Sequence, residues 1–250
     1  MDLAARYVTR CHELTGYWGS WPPGNPIRVG LVGSLSESKI FRRLKELGDV
    51  TEIPAQEIVE VKTDFNESWY DGGETAITTS AAVAANAQSQ IDTSMNVNIS
   101  FEEDCGIFLA YSGATHEQIR DIDLLKRQIL ALTREKIWKP DWAVIVETIR
   151  ADHLTALVSS RSNASITLNL RAEMGKFQAW HLARGDLGVS VKSQKAIGLE
   201  SIGTSGTPLY RAIVISKTWL RKPKVVLSGE ASADDAFEDA YWIGAADGDV

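Results

Sequence analysis

Cysteine and long apolar runs are scarce in this chain, and each scarcity argues against a class of protein. Only two of the 250 residues are cysteine, Cys11 and Cys105. One disulfide is formally available to them, and reduced thiols of a cytosolic protein are the favoured interpretation. No stretch approaches the roughly 18 apolar residues that a spanning helix needs, and the N-terminus shows no basic region followed by an apolar core. We therefore expect a protein that is made soluble and intracellular.

Motifs of metal, nucleotide and nucleophilic chemistry are also missing. The four histidines show no metal-ligand spacing, and the cysteines form no C-x-x-C pair. The segment 30–34, Gly-Leu-Val-Gly-Ser, lacks the Lys-Ser/Thr of a phosphate loop and the third glycine of a dinucleotide motif. Basic residues are offset by acids along most of the chain. We predict no catalytic residue, no metal, no cofactor and no nucleic-acid partner, while an enzyme with dispersed catalytic groups stays open.

Basic residues are absent from the C-terminal stretch, which carries the net charge of the protein. The formal charge is -7, and seven of the 33 acids lie between Ser228 and Val250. Residues 1–227 therefore hold 26 acids against 26 bases. The tail also contains Phe237, Tyr241 and Trp242, although disordered acidic tails are usually poor in large apolar residues. We predict a body of residues 1–227 and a tail of residues 228–250 that docks on it through these aromatics.

Two segments alternate polar and apolar residues, and they are the most informative feature present. Residues 94–101 read Ser-Met-Asn-Val-Asn-Ile-Ser-Phe, and residues 165–172 read Ser-Ile-Thr-Leu-Asn-Leu-Arg-Ala. Alternate side chains of a strand point to opposite faces, so each segment predicts a ribbon with one apolar and one polar face. A half-buried sheet of a soluble α+β domain gives this pattern. So does a strand that faces lipid on one side and water on the other.

The remaining periodicities predict an α+β protein. Apolar residues at helical spacing predict helices over 2–15 and 36–47, and a Thr115/Gln118 capping box predicts a third through Lys136. Residues 75–89, rich in Ala, Ser and Thr, fit a helix or a strand equally well. Strands are expected at 27–32, 58–62, 94–101, 105–111, 142–149, 154–172, 189–199 and 210–219, with 94–101 and 105–111 forming a hairpin that has an acidic tip. Helices and strands do not alternate regularly, which favours a mixed, largely antiparallel twisted sheet with peripheral helices.

The arrangement of a basic first helix, polar-apolar hairpins and intervening helices resembles the gasdermin pore-forming domain. The local likeness is strongest where residues 146–154 run into the strand 165–172. Residues 98–101 and 208–219 are similar in kind to the first hairpin and a late core strand of that family. The likeness extends over residues 90–220. The chain has no room for the large inhibitory domain of animal members, so it looks like the short bacterial or fungal type.

The resemblance implies a gasdermin N-domain-like fold and a cell-death effector that is cytoplasmic until activated. It would then self-oligomerise on acidic membranes, and two amphipathic hairpins would become strands of a β-barrel pore in innate immunity. An activating protease or a homologous partner protein would provide the trigger. The implied membrane-inserting residues are Met95, Val97, Ile99, Phe101, Ile107, Ile166, Leu168, Leu170, Val189 and Val191.

The resemblance also suggests roles for basic, aromatic and cysteine residues. Phe237, Tyr241 and Trp242 would form an inhibitory tail, and Cys11 is a candidate for lipidation, against the alternative of a buried structural cysteine. The implied lipid-binding residues are Arg6, Arg10, Lys39, Arg42, Arg43 and Lys45. A different class of function competes with this one, namely a soluble interaction module without lytic activity whose alternating strands are simply half buried.

Overall fold

A computed structural model of the chain describes residues 2–51, 58–70, 75–85, 91–171, 177–184, 187–216 and 224–228. The predicted tail aromatics Phe237, Tyr241 and Trp242 lie outside the described residues. Two α-helices are present in the described part, α1 (Leu3–Thr15) and α2 (Ile122–Arg134), with 3₁₀ turns at Leu47–Asp49 and Ala179–Ala183. The strands are β1 (Trp18–Gly19), β2 (Leu31–Leu35), β3 (Phe41–Glu46), β4 (Ile58–Tyr70), β5 (Thr75–Ala85), β6 (Ile91–Phe101), β7 (Ile107–Ile119), β8 (Trp142–Ser159), β9 (Ala164–Arg171), β10 (Ser190–Lys195), β11 (Ile197–Ser216) and β12 (Lys224–Ser228).

The larger of two antiparallel sheets, the central sheet, is built around β8 and β11, which pair along most of their length. The far edge of β8 carries β7 and β2 end to end, and β4 and β3 follow outside them. The far edge of β11 likewise carries β1 and β12 end to end. The residues of β8 are apolar on both faces over much of their length, because this strand is covered on both sides.

The second sheet, the small sheet, has the strand order β10-β9-β6-β5, and every pair is antiparallel. It consists of two hairpins, β5–β6 and β9–β10, joined through β6 and β9. The single strand predicted over 154–172 is therefore wrong, because β8 ends at Ser159 in the central sheet and β9 begins at Ala164 in the small sheet. The undecided segment 75–89 is therefore a strand over Thr75–Ala85, because β6 offers it eleven consecutive backbone partners.

Three apolar clusters hold these layers together. Helix α1 covers one face of the central sheet, where its Tyr7, Val8 and Cys11 pack with Ile145 and Tyr210. Helix α2 covers one end of the opposite face through its own Leu125 and Ile129, which pack with Val144 and Val146 of β8. The small sheet covers the other end of that face, against Phe108, Leu157 and the 3₁₀ turn that holds Leu182. The prediction of an α+β fold with a mixed, largely antiparallel sheet and peripheral helices is confirmed.

No helix among the described residues combines the length and the apolar character needed to cross a membrane. Helix α1 begins and ends where the sequence predicted. Its C-terminal cap is Gly16 at φ +73°, a left-handed conformation that glycine adopts without strain.

The helix predicted over 36–47 is wrong. A tight turn at 36–39, closed by the Lys39 amide donating to the Ser36 carbonyl, leads instead into strand β3, which pairs with β2. Phe41 is buried, whereas Leu44 is 56% exposed, so these residues do not share one buried face. Their helical spacing was coincidental, and backbone pairing with β2 overrides it.

The capping box predicted at Thr115 is also wrong. Strand β7 continues to Ile119 because β4 and β8 pair with it on both sides. Helix α2 begins later, at Ile122, where Asp121 is the N-cap and its Oδ1 accepts from the Leu124 amide at 2.7 Å.

The predicted hairpin between 94–101 and 105–111 does not exist. Strand β6 belongs to the small sheet, and strand β7 belongs to the central sheet. The acidic residues 102–104 form the crossing between the two sheets. The Asp104 side chain accepts from the Ser162 amide, and the Glu103 carbonyl accepts from Ser159 Oγ at 3.1 Å. These acids therefore do not form a hairpin tip.

Candidate functional site

One face of the small sheet is apolar and packs against the central sheet. Ile77, Ile99 and Ile166 form one row across β5, β6 and β9, and Val97 pairs with Leu168 in the next row. Most side chains that β6 and β9 place on this face are almost completely buried. The predicted inserting residues among them, each at 1% exposure or less, are Val97, Ile99, Phe101, Ile166, Leu168 and Leu170. These six predicted inserting residues are thus brought together, and in this state their surface is covered by protein.

The opposite face of the small sheet carries only uncharged polar side chains in its two middle rows. One row runs Thr78, Asn98, Thr167, Ser193 across the four strands, and the other runs Ser80, Asn96, Asn169, Ser190. All eight are exposed or half exposed. Thr167 Oγ1 donates to Asn98 Oδ1 at 3.2 Å, and Asn169 Nδ2 donates to Asn96 Oδ1 at 3.0 Å. We call these eight residues the polar face.

Charge is depleted in this sheet. Strands β5, β6 and β9 contain 30 residues, of which only Asp92 and Arg171 are charged. At the charged fraction of the whole chain, 24%, about seven would be expected. Both charges lie near the same end of the sheet, where Asp92 pairs with Ala84 and Arg171 with Ser94. Strand β10 adds Lys192 and Lys195. Solvated sheet faces usually carry Lys, Glu and Arg, so this composition distinguishes the small sheet from an ordinary surface.

Four further predicted inserting residues are placed less uniformly. Met95 and Val189 are half buried against the small-sheet cluster, and Val191 is 37% exposed. Ile107 lies in β7 of the central sheet and packs in the α1 cluster. The structure therefore does not bring Ile107 together with the other nine.

The six predicted lipid-binding residues fall on α1 and on the β2–β3 hairpin, and several have protein partners. Arg6 Nη1 lies 2.8 Å from Cys105 Sγ, and Arg10 pairs with Glu13 at 2.7 Å. Two of the others lie on β3. Arg43 pairs with Glu46 at 2.6 Å, and the Lys45 ammonium lies 4.2 Å from the centre of the Trp142 ring.

The other two lie beside or on the same strand. Lys39, at the turn before β3, is half buried, and burial lowers its pKa. Arg42 is exposed on β3.

Cys11, the predicted lipidation site, is buried under α1 with 1% exposure. Burial raises the pKa of its thiol to about 12. A Cβ at Gly19 would stand 2.8 Å from its Sγ, so the neighbouring backbone is in close contact with the sulfur. In this state the thiol is inaccessible to an acyl donor, whereas Cys105 is partly exposed.

A buried polar cluster around Glu147 was not predicted from the sequence. Glu147 of β8 accepts from Tyr17 Oη at 2.6 Å, contacts His116 Nε2 at 2.5 Å, and pairs with Arg211 at 3.2 Å. The Arg211 guanidinium also stacks on the Tyr17 ring at 4.2 Å and donates to the Gly16 carbonyl at the end of α1. The signal available in the sequence was one charged residue, Glu147, inside the mostly apolar run 142–149.

The environment of this cluster stabilises the charged form of Glu147. Burial raises the pKa of Glu147, but hydrogen bonds from His116 and Tyr17 and the charge of Arg211 outweigh burial, so the pKa lies below its ordinary value. Burial and the neighbouring carboxylate raise the pKa of Tyr17. The cluster ties the end of α1 to the central sheet. Within the described ranges, no three His, Cys, Asp or Glu side chains converge in a way that could hold a metal ion.

The start of the C-terminal tail is fixed beside the N-terminal helix. Ser228 ends β12, and its carbonyl accepts from Trp18 Nε1 at 3.0 Å. Trp18 stacks edge-on against His12 of α1, with 4.0 Å between the ring centres. Ser228, the last residue that the structure describes, therefore lies close to α1.

Comparison with known proteins gives a distant structural likeness. No protein-family model matches the chain, and neither does any curated protein. The chain is similar to a solved structure described as the cryo-EM structure of the gasdermin A3 membrane pore. The match has 9% sequence identity and a TM-score of 0.35, and covers 90% of this chain and 94% of that one.

Proposed function

We propose that this protein is a pore-forming cell-death effector, cytoplasmic until activated, whose small sheet inserts into acidic membranes after self-oligomerisation. The observation that carries the proposal is the composition of that sheet. It has an aliphatic face, an uncharged Ser/Thr/Asn face and almost no charge in β5, β6 and β9. Strands of a β-barrel pore need this combination, because one face meets lipid and the other meets water.

The strands of the first hairpin have the length that a bilayer requires. A tilted transmembrane strand needs about 9–11 residues, and β5 and β6 have eleven each. Strand β9 has eight in the folded structure and β10 six, and both connect to longer strands of the central sheet. Moving the aliphatic face from the protein core into lipid exchanges one apolar environment for another, so the transfer itself is close to neutral.

The topology of the small sheet suits closure into a ring. Strands β5 and β10 form its two edges, and within the described residues each pairs on one side only. Three antiparallel steps separate them, so β5 and β10 run in opposite directions. When copies are related by rotation about a ring axis, β10 of one would therefore meet β5 of the next in antiparallel fashion. Closure would satisfy every strand edge, as a bilayer demands.

Surface charge and the tail would control this step. Arg6, Arg10, Arg42 and Arg43 would bind acidic lipid headgroups, each contributing about 1 kcal/mol. Arg6, Arg10 and Arg43 would first have to leave their protein partners. Lys45 would join them after leaving the Trp142 ring, and Lys39 after leaving its half-buried position. The acidic tail beyond Ser228 would hold the body in its soluble form until an activating protease or a homologous partner displaced it.

Dye release from vesicles tests the proposal. We would compare the full chain with a chain that ends at Ser228, which keeps the contact to Trp18. Vesicles of phosphatidylcholine with and without phosphatidylserine would be used, and circular dichroism would verify folding. We expect leakage from the shortened chain on the acidic vesicles alone. A folded shortened chain that leaves both kinds of vesicle intact would contradict release by the tail.

One observation favours the second candidate, a soluble interaction module without lytic activity. The aliphatic side chains of β6 and β9 are already largely covered by the central sheet, as in an ordinary half-buried sheet. That function predicts that both the full chain and the chain ending at Ser228 stay monomeric on acidic vesicles. Light scattering of the vesicle-bound protein would separate the two candidates.

A further inference from the structure

The two hairpins of the small sheet are distant in the chain, and in the described ranges they meet through β6 and β9. Strand β6 ends at Phe101, and strand β9 begins at Ala164. The chain between them passes through β7, α2 and β8 in the rest of the fold. Eight consecutive residue pairs join β6 to β9 without a register shift. By contrast, shifts interrupt the pairing of β9 with β10 and of β8 with β11.

Side chains reinforce this junction on the polar face. The Asn169 amide donates to Asn96, and the Thr167 hydroxyl donates to Asn98. Asparagine is disfavoured in strands, so two asparagines spaced two residues apart on β6, each bonded to β9, need a structural reason. Cross-strand polar pairs of this kind stabilise a chosen register.

Separating the hairpins would expose what this junction satisfies. Strands β6 and β9 would each leave the backbone N–H and C=O groups of about half of their eight paired residues without partners, because alternate residues of an antiparallel strand bond to opposite neighbours. Such groups are costly to place in a bilayer unless another strand binds them at once. Hydrogen bonds between the two hairpins avoid unpaired groups, because donor and acceptor enter the membrane together.

We propose that Asn96–Asn169 and Asn98–Thr167 hold the two hairpins together, so that all four strands leave the central sheet and insert as one unit. This inference rests on the proposed pore function. The four residues are positioning residues. They face water in the soluble protein and the lumen in the pore, and the β6–β9 register is the same in both states. The alternative is an exchange, in which the two hairpins of one copy part and pair with those of neighbouring copies.

A reversible cross-link distinguishes the two routes. Asn96→Cys with Asn169→Cys would join the hairpins across β6 and β9, which are direct register partners. The matched control is Ser80→Cys with Asn96→Cys, which joins β5 to β6 inside one hairpin on the same face. Both pairs would be placed in a Cys105→Ser background. Cys11 is buried and would stay unreactive. Dye release from acidic vesicles by the chain ending at Ser228 would be measured after oxidation and again after reduction.

We expect each oxidised double-cysteine variant to release dye from the vesicles at the same rate as its reduced form. Leakage abolished by oxidation of the Asn96/Asn169 pair and restored on reduction, with the Ser80/Asn96 pair unaffected, would overturn the inference in favour of exchange. Loss in both oxidised pairs would also overturn it, because pairing within the sheet would then have to open. If the reduced proteins and the parent chain fail to leak, the pore function itself is wrong, and the cross-link is not the cause. Failure of Asn96→Cys and Asn169→Cys to cross-link in the soluble protein would contradict the register.

Discussion

Two adjacent threonines on strand β5 allow the orientation of the small sheet in a membrane to be tested without disturbing the soluble fold. Thr79 pairs with Val97, in the aliphatic row that continues to Leu168. Thr78 pairs with Asn98, in a row of the polar face. Both are exposed on an edge strand, so a lysine at either position stays solvated in the soluble protein.

The variants Thr78→Lys and Thr79→Lys should behave differently only in the membrane. A lysine facing lipid near the bilayer midplane costs about 2–4 kcal/mol, which corresponds to about 30- to 700-fold in the insertion equilibrium of each copy. A lysine facing the lumen stays in water. We expect Thr79→Lys to abolish dye release from acidic vesicles and Thr78→Lys to retain it, in the chain ending at Ser228.

Thermal unfolding of both variants provides the control. Surface substitutions of this kind usually change stability by less than about 0.5 kcal/mol, so the two melting curves should nearly coincide. Equal leakage from the two variants would refute a lipid-facing role for the row of Thr79, Val97 and Leu168. Greater loss in Thr78→Lys would mean that the sheet inserts with the opposite orientation.

Three further outcomes follow from other parts of the molecule. Replacing Arg42 and Arg43 with Glu should weaken binding to acidic vesicles by about 1 kcal/mol for each arginine replaced, and unchanged co-sedimentation would remove these residues from the lipid surface. The folded-state pKa of Glu147 lies below its ordinary value, so its contribution to stability is present above about pH 4.5 and is lost as the pH falls through the folded-state value. Glu147→Gln should therefore flatten the fall in urea midpoint between neutral and acidic pH, and an equally steep fall would contradict this. A maleimide should label Cys105 in the native protein and label Cys11 only after denaturation, and rapid native labelling of Cys11 would show that α1 opens readily.

The sequence predicted local structure well where one periodicity dominated. Helix α1 and the alternating strands β6 and β9 were recognised because their apolar spacing is unambiguous. Residues 36–47 were misassigned because Ile40, Phe41, Leu44 and Leu47 happen to match a helical face while pairing with β2 decides the structure.

Strand partners and the details of the candidate site depended on long-range contacts that alternation does not specify. Residues 94–101 have the same alternating pattern whichever strand they pair with. The sequence therefore does not predict that they pair with β5 and β9 and not with β7. The sequence did indicate the two faces of β6 and β9. It did not indicate the side-chain bonds of Asn96 and Asn98, since these need the register of β9. The Glu147 cluster was missed because its partners Tyr17, His116 and Arg211 are far apart in the chain.

The order in which the small sheet and its cover are synthesised has a consequence for the newborn protein. The aliphatic face of β6 ends at Phe101, yet part of its cover comes from Leu157 and Leu182, the latter 81 residues further along the chain. At a translation rate of about 5–20 residues per second, that cover arrives about 4–16 seconds after the strand itself. During this interval the β5–β6 hairpin, whose pairing is local, has β7 residues such as Phe108 as its only synthesised cover among the described residues of this cluster. Chaperone binding to the nascent chain, or early packing against β7, would therefore be needed to cover this apolar side before the tail is synthesised.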